Sequence, residues 1–401
     1  MSDASKTKTV VIMVGLPARG KTFLSLKLKR YLEWQGLLTG IFNVGGYRRE
    51  LLGMESSRSD FFNPRITEYA MERERIAKKC FSDLSAWLKE EGTVAVYDAT
   101  SVTTARREYL RRECLANGFD FIFVENICDD PETLDKIVGV KISNSVDYMG
   151  KDDELARRDF GERLNHYESV YATVGEDLPY IKIFNFGERV SRNFGPGRPL
   201  FDDISEFLGS VNLAEKEIYL TRHGETFFNL EDRIGGDSSL TDRGVEYAGR
   251  LSGFFKGREL VVFTSGKRRT IETAEFLGCR KARLPEMNEI NSGICDGMTY
   301  GEIAEKYPEI DGSRKADKFG FRYPGGESYG DLIQRVKKAV CLIEAQRKGV
   351  LVIAHRAVNR CLFSYFIPTP PADIPYIDMP LDRIVRIRRE KALYGYEVLR
   401  V

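Results

Sequence analysis

No excess of charge, no paired cysteines and no long apolar run mark this chain of 401 residues. Its 61 Lys and Arg against 60 Asp and Glu leave a net charge of +1. No bulk field therefore draws it to nucleic acid or to a membrane surface, and any hold on an anionic substrate must come from locally placed Arg and Lys. The seven cysteines are odd in number and contain no Cys-x-x-Cys. That argues against a disulfide framework or a zinc site and suits a reducing cytosol. The longest apolar runs fall far short of the ~18 residues of a membrane span, and the opening MSDASKTKT lacks the hydrophobic stretch of a signal peptide. The expected protein is soluble and cytoplasmic. Internal repeats and low-complexity tracts are also missing, and the short tails leave little room for a regulatory arm. Paired arginines such as Arg106 with Arg107 and Arg111 with Arg112 are expected on solvated helix faces.

What is present is a β-then-α rhythm, run through twice. In the first half, apolar runs at Val10–Val14, Gly40–Val44, Thr93–Tyr97, Phe119–Val124 and Tyr180–Phe184 predict strands, with helices near 66–90, 103–117 and 152–171. Leu24, Leu28, Tyr31 and Leu32 keep helical spacing behind the first strand. This alternation indicates an α/β fold, a mostly parallel sheet with helices on both faces. A Gly/Pro-rich stretch from Phe194 to Pro199 interrupts it, a short helix near 202–211 follows, and the rhythm restarts at Glu217–Leu220. Two domains are expected, 1–213 and 214–401, the second with strands near 259–263, 350–354 and 383–388 and helices near 242–256, 267–277, 327–346 and 356–366.

Two sites follow apolar strands directly. The run Val10–Val14 feeds into GLPARGKT, a complete GxxxxGK[ST] phosphate loop. Gly15, Leu16, Pro17, Ala18, Arg19, Gly20, Lys21 and Thr22 would wrap backbone N–H groups around a nucleotide's phosphates, with Lys21 as cation and the Thr22 hydroxyl toward Mg²⁺. An acidic metal partner belongs at the end of another strand, where Asp98 stands in VAVYDAT. No HRD catalytic-loop signature of protein kinases is present, so a small-molecule acceptor is indicated. In the second half, His223 in TRHGE and His355 after VLVIA are two of only three histidines. Strands ending in them could converge at the carboxyl edge of a sheet. An imidazole can take a phosphoryl group as nucleophile, Arg222 and Arg269 can neutralise it, and Glu289 is the candidate proton donor to the leaving alcohol. His166, on a predicted helix, reads as a packed or surface histidine.

FNVGGYRRE, YDAT, ICDDPE, VKIS and YIKIF beside the phosphate loop, and LTRHGE, NLEDRIGGDSSLTDRG, KRRTIETAE, NEINSGICDGMTY, RYPGGESY and AHRAVNRCL in the second half, resemble the bifunctional 6-phosphofructo-2-kinase/fructose-2,6-bisphosphatase family from about Val10 onward. The second half alone is similar to the histidine phosphatase (phosphoglycerate mutase-like) superfamily. The resemblance implies that Lys21, Thr22 and Asp98 handle ATP and Mg²⁺, and that Arg48, Thr100, Lys141, Arg163 and Tyr167 meet fructose 6-phosphate or the moving phosphoryl group. It implies His223 as nucleophile, Glu289 as proton donor, and Arg222, Arg269 and His355 around the 2-phosphate of fructose 2,6-bisphosphate. Asn229 and Arg233 would help hold that end, Lys318, Arg322, Arg356 and Arg360 would face the sugar and its 6-phosphate, and Gly235 and Tyr300 belong to the same site. The phosphatase would need no cofactor, and the number of copies in the working enzyme is left open, a homodimer included.

Four positions depart from the family pattern: Gly46 for Glu, Asn63 for the Arg of FFRP, Asn291 for Asp, and Arg356 for Gln. Arg65 lies near Asn63 but points elsewhere in an extended segment, so weakened sugar-phosphate binding is expected in the first domain. A phosphatase with a disabled, nucleotide-binding first domain is one rival reading. A non-catalytic sensor is another, and the presence of Lys21, Asp98, His223, Glu289 and His355 argues against it.

Overall fold

The computed structural model of the chain describes residues 7–150, 152–390 and 393–401. The chain forms two compact units that divide between Val211 and Asn212. The first is built on strands β1 (Thr9–Val14), β2 (Thr39–Asn43), β3 (Val94–Asp98), β4 (Asp120–Ile127), β5 (Tyr180–Phe184) and β6 (Arg189–Asn193). Its helices are α1 (Lys21–Trp34), α2 (Val44–Leu52), α3 (Thr67–Glu90), α4 (Thr104–Ala116), α5 (Pro131–Asn144), α6 (Asp153–Glu168) and α7 (Pro199–Ser210). The sheet order is β2-β3-β1-β4-β5-β6, parallel except for the antiparallel edge strand β6. Every residue of β1 is buried. Helices cover both faces of a central parallel strand, which is why its sequence reads as an unbroken apolar run rather than an alternating one. On one face Val10, Ile12 and Val14 pack with Phe81, Leu84, Tyr97, Leu110 and Phe123. On α1, Leu24, Leu28, Tyr31 and Leu32 are buried, and the Tyr31 ring stacks on Phe207 of α7 at 4.0 Å.

The second unit has strands β7 (Ile218–Arg222), β8 (Leu260–Thr264), β9 (Arg280–Arg283), β10 (Gly349–Ala354), β11 (Arg383–Glu390) and β12 (Leu393–Arg400). Its helices are α8 (Phe227–Leu230), α9 (Asp242–Phe254), α10 (Arg268–Thr273), α11 (Tyr300–Lys306), α12 (Pro308–Ala316), α13 (Tyr329–Ala345) and α14 (Arg356–Phe366). The order is β12-β11-β7-β10-β8-β9, with β7, β10, β8 and β9 parallel and a β11–β12 hairpin added antiparallel to β7. Each sheet thus presents the carboxyl ends of neighbouring parallel strands on one edge, where α/β proteins bind ligands.

The structure departs from the sequence expectations in the short elements. The strand expected to reach Val44 stops at Asn43, whose side chain caps α2 by accepting from Gly46 N at 2.7 Å. Helix α5 is new, although Asp130, its cap, and Pro131 at its first turn are start signals. Arg107 corrects the expectation of solvated arginine pairs. It is 1% exposed and donates to the carbonyls of Ser101, Val102, Ala172 and Thr173, tying the loop after β3 to the segment before β5. Its neighbour Arg106 turns into a cleft and pairs with Glu74 at 2.5 Å.

Candidate active sites

In the first unit, β1 ends in a turn that only small residues permit. Gly15 has φ +136°, and a Cβ there would stand 2.6 Å from the Asn126 carbonyl oxygen. Gly20 has φ +76°, and a Cβ would meet the Phe186 ring at 2.3 Å. The turn hands over to α1 at Lys21, whose Nζ donates to Leu16 O at 2.6 Å. Burial pushes the Lys21 ammonium down from 10.5 to about 7, against the opposing pull of Asp98. Thr22 Oγ1 donates to Asp98 Oδ2 at 2.8 Å, and Asn43 Nδ2 donates to the same oxygen at 2.6 Å. One hydroxyl beside one buried carboxylate suits Mg²⁺, which keeps most of its shell as phosphate oxygens and water. Among the described residues no cluster of three or more His, Cys, Asp or Glu could serve a metal alone.

The loop opens onto a cleft of about 1130 Å³ lined by Lys21, Thr22, Arg48, Asp98, Thr100, Lys141, Arg163 and Tyr167 among others. These expected residues come from α1, α2, β3, the loop behind it, α5 and α6. Sequence reasoning missed what holds them. Asp147 is 3% exposed and takes Arg48 at 2.8 Å, Arg163 at 3.2 Å and Arg49 at 3.4 Å. Burial pushes its carboxyl up, yet Arg48, Arg163 and Arg49 together hold it well below the usual carboxylate range. The Arg163 guanidinium also lies 3.8 Å from the Phe62 ring centroid. Asn63 is not in the cleft lining, nor is Arg65. Asn63 Oδ1 instead accepts from Arg65 N at 3.0 Å. Arg73 and Arg106 line the cleft and were not anticipated.

In the second unit, Ala354 of β10 pairs with Arg222 of β7, so the residues after these positions emerge together. His223 N donates to Ala354 O at 3.1 Å, and the His223 and His355 rings stand 5.4 Å apart. His223 Nδ1 lies 2.7 Å from Gly224 O. A carbonyl only accepts, so Nδ1 carries the hydrogen and Nε2 keeps the lone pair a nucleophile needs. Burial, then the nearby Arg269, pushes both imidazoles well below their ordinary range. Both rings are therefore neutral near pH 7. Arg269 donates from Nε to His355 Nδ1 at 3.3 Å and from Nη1 to Gly236 O at 2.9 Å. Arg222, pushed down to about 10 by burial and by Arg356, has a buried Nε with no hydrogen-bond partner. An orphaned buried guanidinium nitrogen marks a place for an anion's oxygen. Glu289 accepts from Ile290 N at 3.0 Å and lines the same cleft as His223.

That cleft measures about 760 Å³ and takes in Arg222, His223, Asn229, Arg233, Gly235, Arg269, Glu289, Tyr300, Lys318, Arg356 and Arg360. His355 is fully buried, behind the lining residues rather than among them. Arg322 does not enter: its side chain is 63% exposed and pairs with Asp331 at 2.5 Å. The cation that does enter is Arg314, which donates to Tyr323 OH and Tyr300 OH. It lies on α12, a helix the periodicity did not reveal, and its only sequence signal was the run of basic residues around it. Tyr329 also lines the cleft and accepts from Arg360. Lys318 is pushed down to about 8 by burial and then by Arg360, Arg314 and Arg356. Arg356 is exposed and has no ion-pair partner among the described residues. Asn291 Oδ1 accepts from Gly293 N at 2.9 Å and so closes a turn that an Asp closes equally well.

A phosphate-loop unit and a phosphatase unit with a paired-histidine centre thus share one chain. Comparison with known proteins agrees unit by unit. Residues 1–194 match the family model for 6-phosphofructo-2-kinase, and residues 218–399 match that of the histidine phosphatase superfamily (branch 1). The chain is 42% identical over 392 residues to 6-phosphofructo-2-kinase/fructose-2,6-bisphosphatase 1 of Rattus norvegicus, covering 96% of this chain and 82% of that one. It is 42% identical over 400 residues to the Gallus gallus enzyme of that name, covering 97% and 84%. With the Homo sapiens enzyme 1 the figures are 41% over 407 residues, 98% and 84%. The chain belongs to the 6-phosphofructo-2-kinase/fructose-2,6-bisphosphatase family.

Proposed function

We propose that this chain phosphorylates fructose 6-phosphate at O2 with ATP and hydrolyses fructose 2,6-bisphosphate back through a phosphohistidine, and so sets the level of this glycolytic regulator. The observation that carries the reading is the pairing, in one chain, of the Thr22–Asp98 hydrogen bond behind a phosphate loop with the His223–His355 pair of the second unit. In the kinase, the backbone of Gly15 to Gly20 and Lys21 cradle the nucleotide's phosphates, and Thr22 with Asp98 would hold Mg²⁺. When bound, that ion neutralises charge on the phosphates during transfer. Arg48, Lys141, Arg163 and Tyr167 bring the sugar phosphate to the γ-phosphate. In the phosphatase, His223 Nε2 attacks the 2-phosphorus as the bond from phosphorus to O2 breaks, and Glu289 gives O2 its proton. Water then attacks the phosphohistidine and returns a proton to Glu289, releasing phosphate. Arg222 and Arg269 hold the phosphoryl oxygens throughout.

A second reading, a phosphatase whose kinase unit binds nucleotide but sugar phosphate poorly, is favoured by one observation. Asn63 offers no charge to the cleft, and Arg48, Arg163 and Arg106 are already committed to Asp147 and Glu74. One experiment separates the two: follow fructose 2,6-bisphosphate in a mixture of ATP, Mg²⁺, fructose 6-phosphate and the His223→Ala protein. Accumulation supports the bifunctional enzyme; none at millimolar sugar phosphate leaves only the phosphatase.

A further inference from the structure

The carboxylate at the end of β3 is gripped from both neighbouring strands, and the scheme above uses only one of the two grips. Strand β3 lies between β2 and β1, and Asp98 is 2% exposed and lines the kinase cleft. From the β1 side, by way of the phosphate loop, Thr22 Oγ1 donates to Asp98 Oδ2 at 2.8 Å. On the β2 side, Asn43 ends its strand in register with Asp98, and its Nδ2 donates to the same oxygen at 2.6 Å. No donor among the described residues reaches Asp98 Oδ1.

The hydrogen directions in this arrangement are fixed by groups that can act in one way only. Gly46 N lies 2.7 Å from the oxygen end of the Asn43 amide. A backbone N–H only donates, so that end is Oδ1, and the end facing Asp98 must be the NH₂. Thr22 has one hydroxyl hydrogen and gives it to Asp98, which leaves its lone pairs for a cation. The same Asn43 amide caps α2, the helix that carries buried Arg48. A cap alone does not call for an amide, since Ser and Asp cap a helix about as well as Asn. What the amide adds is its second arm, and that arm ends on Asp98.

We propose that Asn43 is a positioning residue of the kinase centre: its amide, anchored on the start of α2, fixes the Asp98 carboxylate so that Oδ2 is taken by Asn43 and Thr22 and Oδ1 stays open to the divalent cation of the nucleotide. The proposal rests on the kinase reading above and adds what orients its acidic group. Without the second arm Asp98 keeps a single side-chain donor, and its carboxylate can turn to offer either oxygen to Thr22. Groups that hold a metal-binding carboxylate in place are worth roughly ten- to a hundredfold in metal affinity.

The test uses the full chain, with ATP and Mg²⁺ as probes. Titration calorimetry gives the affinity for ATP in excess EDTA and in excess Mg²⁺, and the ratio of the two is the gain that the cation brings. Asn43→Ser keeps a cap on α2 but has no arm to extend to Asp98. It is expected to leave the affinity in EDTA nearly unchanged and to weaken binding with Mg²⁺ by roughly tenfold. When Asp98→Asn is already present, the same change should cost less than about twofold, since both act through one carboxylate. A role in capping alone predicts full Mg²⁺ gain in Asn43→Ser. That result overturns the proposal, as does an equal loss in EDTA and in Mg²⁺, or effects of Asn43→Ser and Asp98→Asn that multiply. A second measurement needs no ligand: in protein labelled with ¹⁵N-asparagine, the Asn43 side-chain amide, assigned by its absence in Asn43→Ser, should exchange slowly with solvent and lose that protection in Asp98→Ala. Fast exchange in the unsubstituted protein also overturns the proposal. Binding that behaves as expected, with no fructose 2,6-bisphosphate formed from fructose 6-phosphate, sinks the kinase reading instead and leaves the role of Asn43 standing.

Discussion

Lys21 should weaken the empty kinase unit that it makes active. The residue is 8% exposed, and its ammonium is pushed down to about 7 against an ordinary 10.5. At 1.36 kcal/mol per pH unit, that gap corresponds to at most ~5 kcal/mol of destabilisation when the group is charged in both folded and unfolded chains. Lys21→Met keeps the length and removes the charge. It also loses the bond to Leu16 O, a charge-assisted contact worth about 1.5–3 kcal/mol. The net gain is therefore at most ~2–3.5 kcal/mol, or about 4–14 °C in the Tm of a unit this size. The sign depends on pH in a defined way. Below pH 7 the lysine is protonated in both states and the folded chain carries the whole penalty. Between about 7 and 10.5 the folded chain releases its proton first, wild-type stability rises, and the advantage of Met fades. The assay is calorimetry without nucleotide at pH 6.5 and pH 10, following the transition that ATP raises in the wild type. Lys21→Met should melt higher at pH 6.5, match the wild type near pH 10, gain little from ATP, and make no fructose 2,6-bisphosphate. A variant that melts lower at pH 6.5, or whose advantage is the same at both pH values, refutes the reasoning.

His223→Ala should abolish hydrolysis and spare synthesis, and a brief exposure to substrate labelled at the 2-phosphate should leave alkali-stable label on wild-type His223 only. Glu289→Gln keeps the shape but not the proton, so phosphorylation of His223 should slow by roughly a hundredfold or more; full activity would remove Glu289 from the acid role. Asn63→Arg should lower the Michaelis constant of the kinase for fructose 6-phosphate roughly tenfold, as one charge-assisted phosphate contact allows, with that for ATP unmoved; no change would mean that Arg73 or Arg106 already fills the place. Arg356→Gln should raise the Michaelis constant for fructose 2,6-bisphosphate with turnover nearly constant, because a contact to the unreacting 6-phosphate is the same in ground and transition states. A large fall in turnover at saturating substrate would place Arg356 at the reacting phosphate instead.

The parts legible in the sequence were those where one short segment carries the whole signal. The phosphate loop and both histidines follow buried strands, so an apolar run and a motif locate them together. Asp147 was not legible, because a carboxylate in a polar segment looks the same whether it is solvated or holds three arginines. Arg107 misled for the related reason that its partners are backbone carbonyls, which leave no trace in side-chain pattern. Arg322 and Arg314 exchanged places because periodicity did not show α12, and the helix turns Arg314 onto Tyr300 and Tyr323 while Arg322 stays outside. Ser265 stands two residues before the KRRTIETAE motif, and its contact with His355 exists only once β10 brings that residue alongside.

The two clefts gather cations for phosphate by opposite means, and the difference has consequences. In the kinase, buried Asp147 sits among Arg48, Arg49 and Arg163, so one carboxylate offsets part of their charge before any ligand arrives, and an incoming phosphate must share those donors with it. In the phosphatase, Glu289 is the carboxylate that acts on Arg222, and Arg222, Lys318, Arg356 and Arg360 have no ion-pair partner among the described residues. They donate to carbonyls and a tyrosine where they bond at all, and their mutual repulsion helps hold Lys318 at about 8 and Arg222 at about 10. A bisphosphate relieves that repulsion on entry, and a sugar phosphate in the kinase relieves the part that Asp147 leaves among Arg48, Lys141 and Arg163. Binding to the phosphatase should therefore take up protons near pH 8 and weaken steeply with salt. Asp147 thus lowers the repulsion among the empty kinase cleft's cations while competing for their donors, and the phosphatase cleft, with less carboxylate among its cations, should hold its bisphosphate the more firmly.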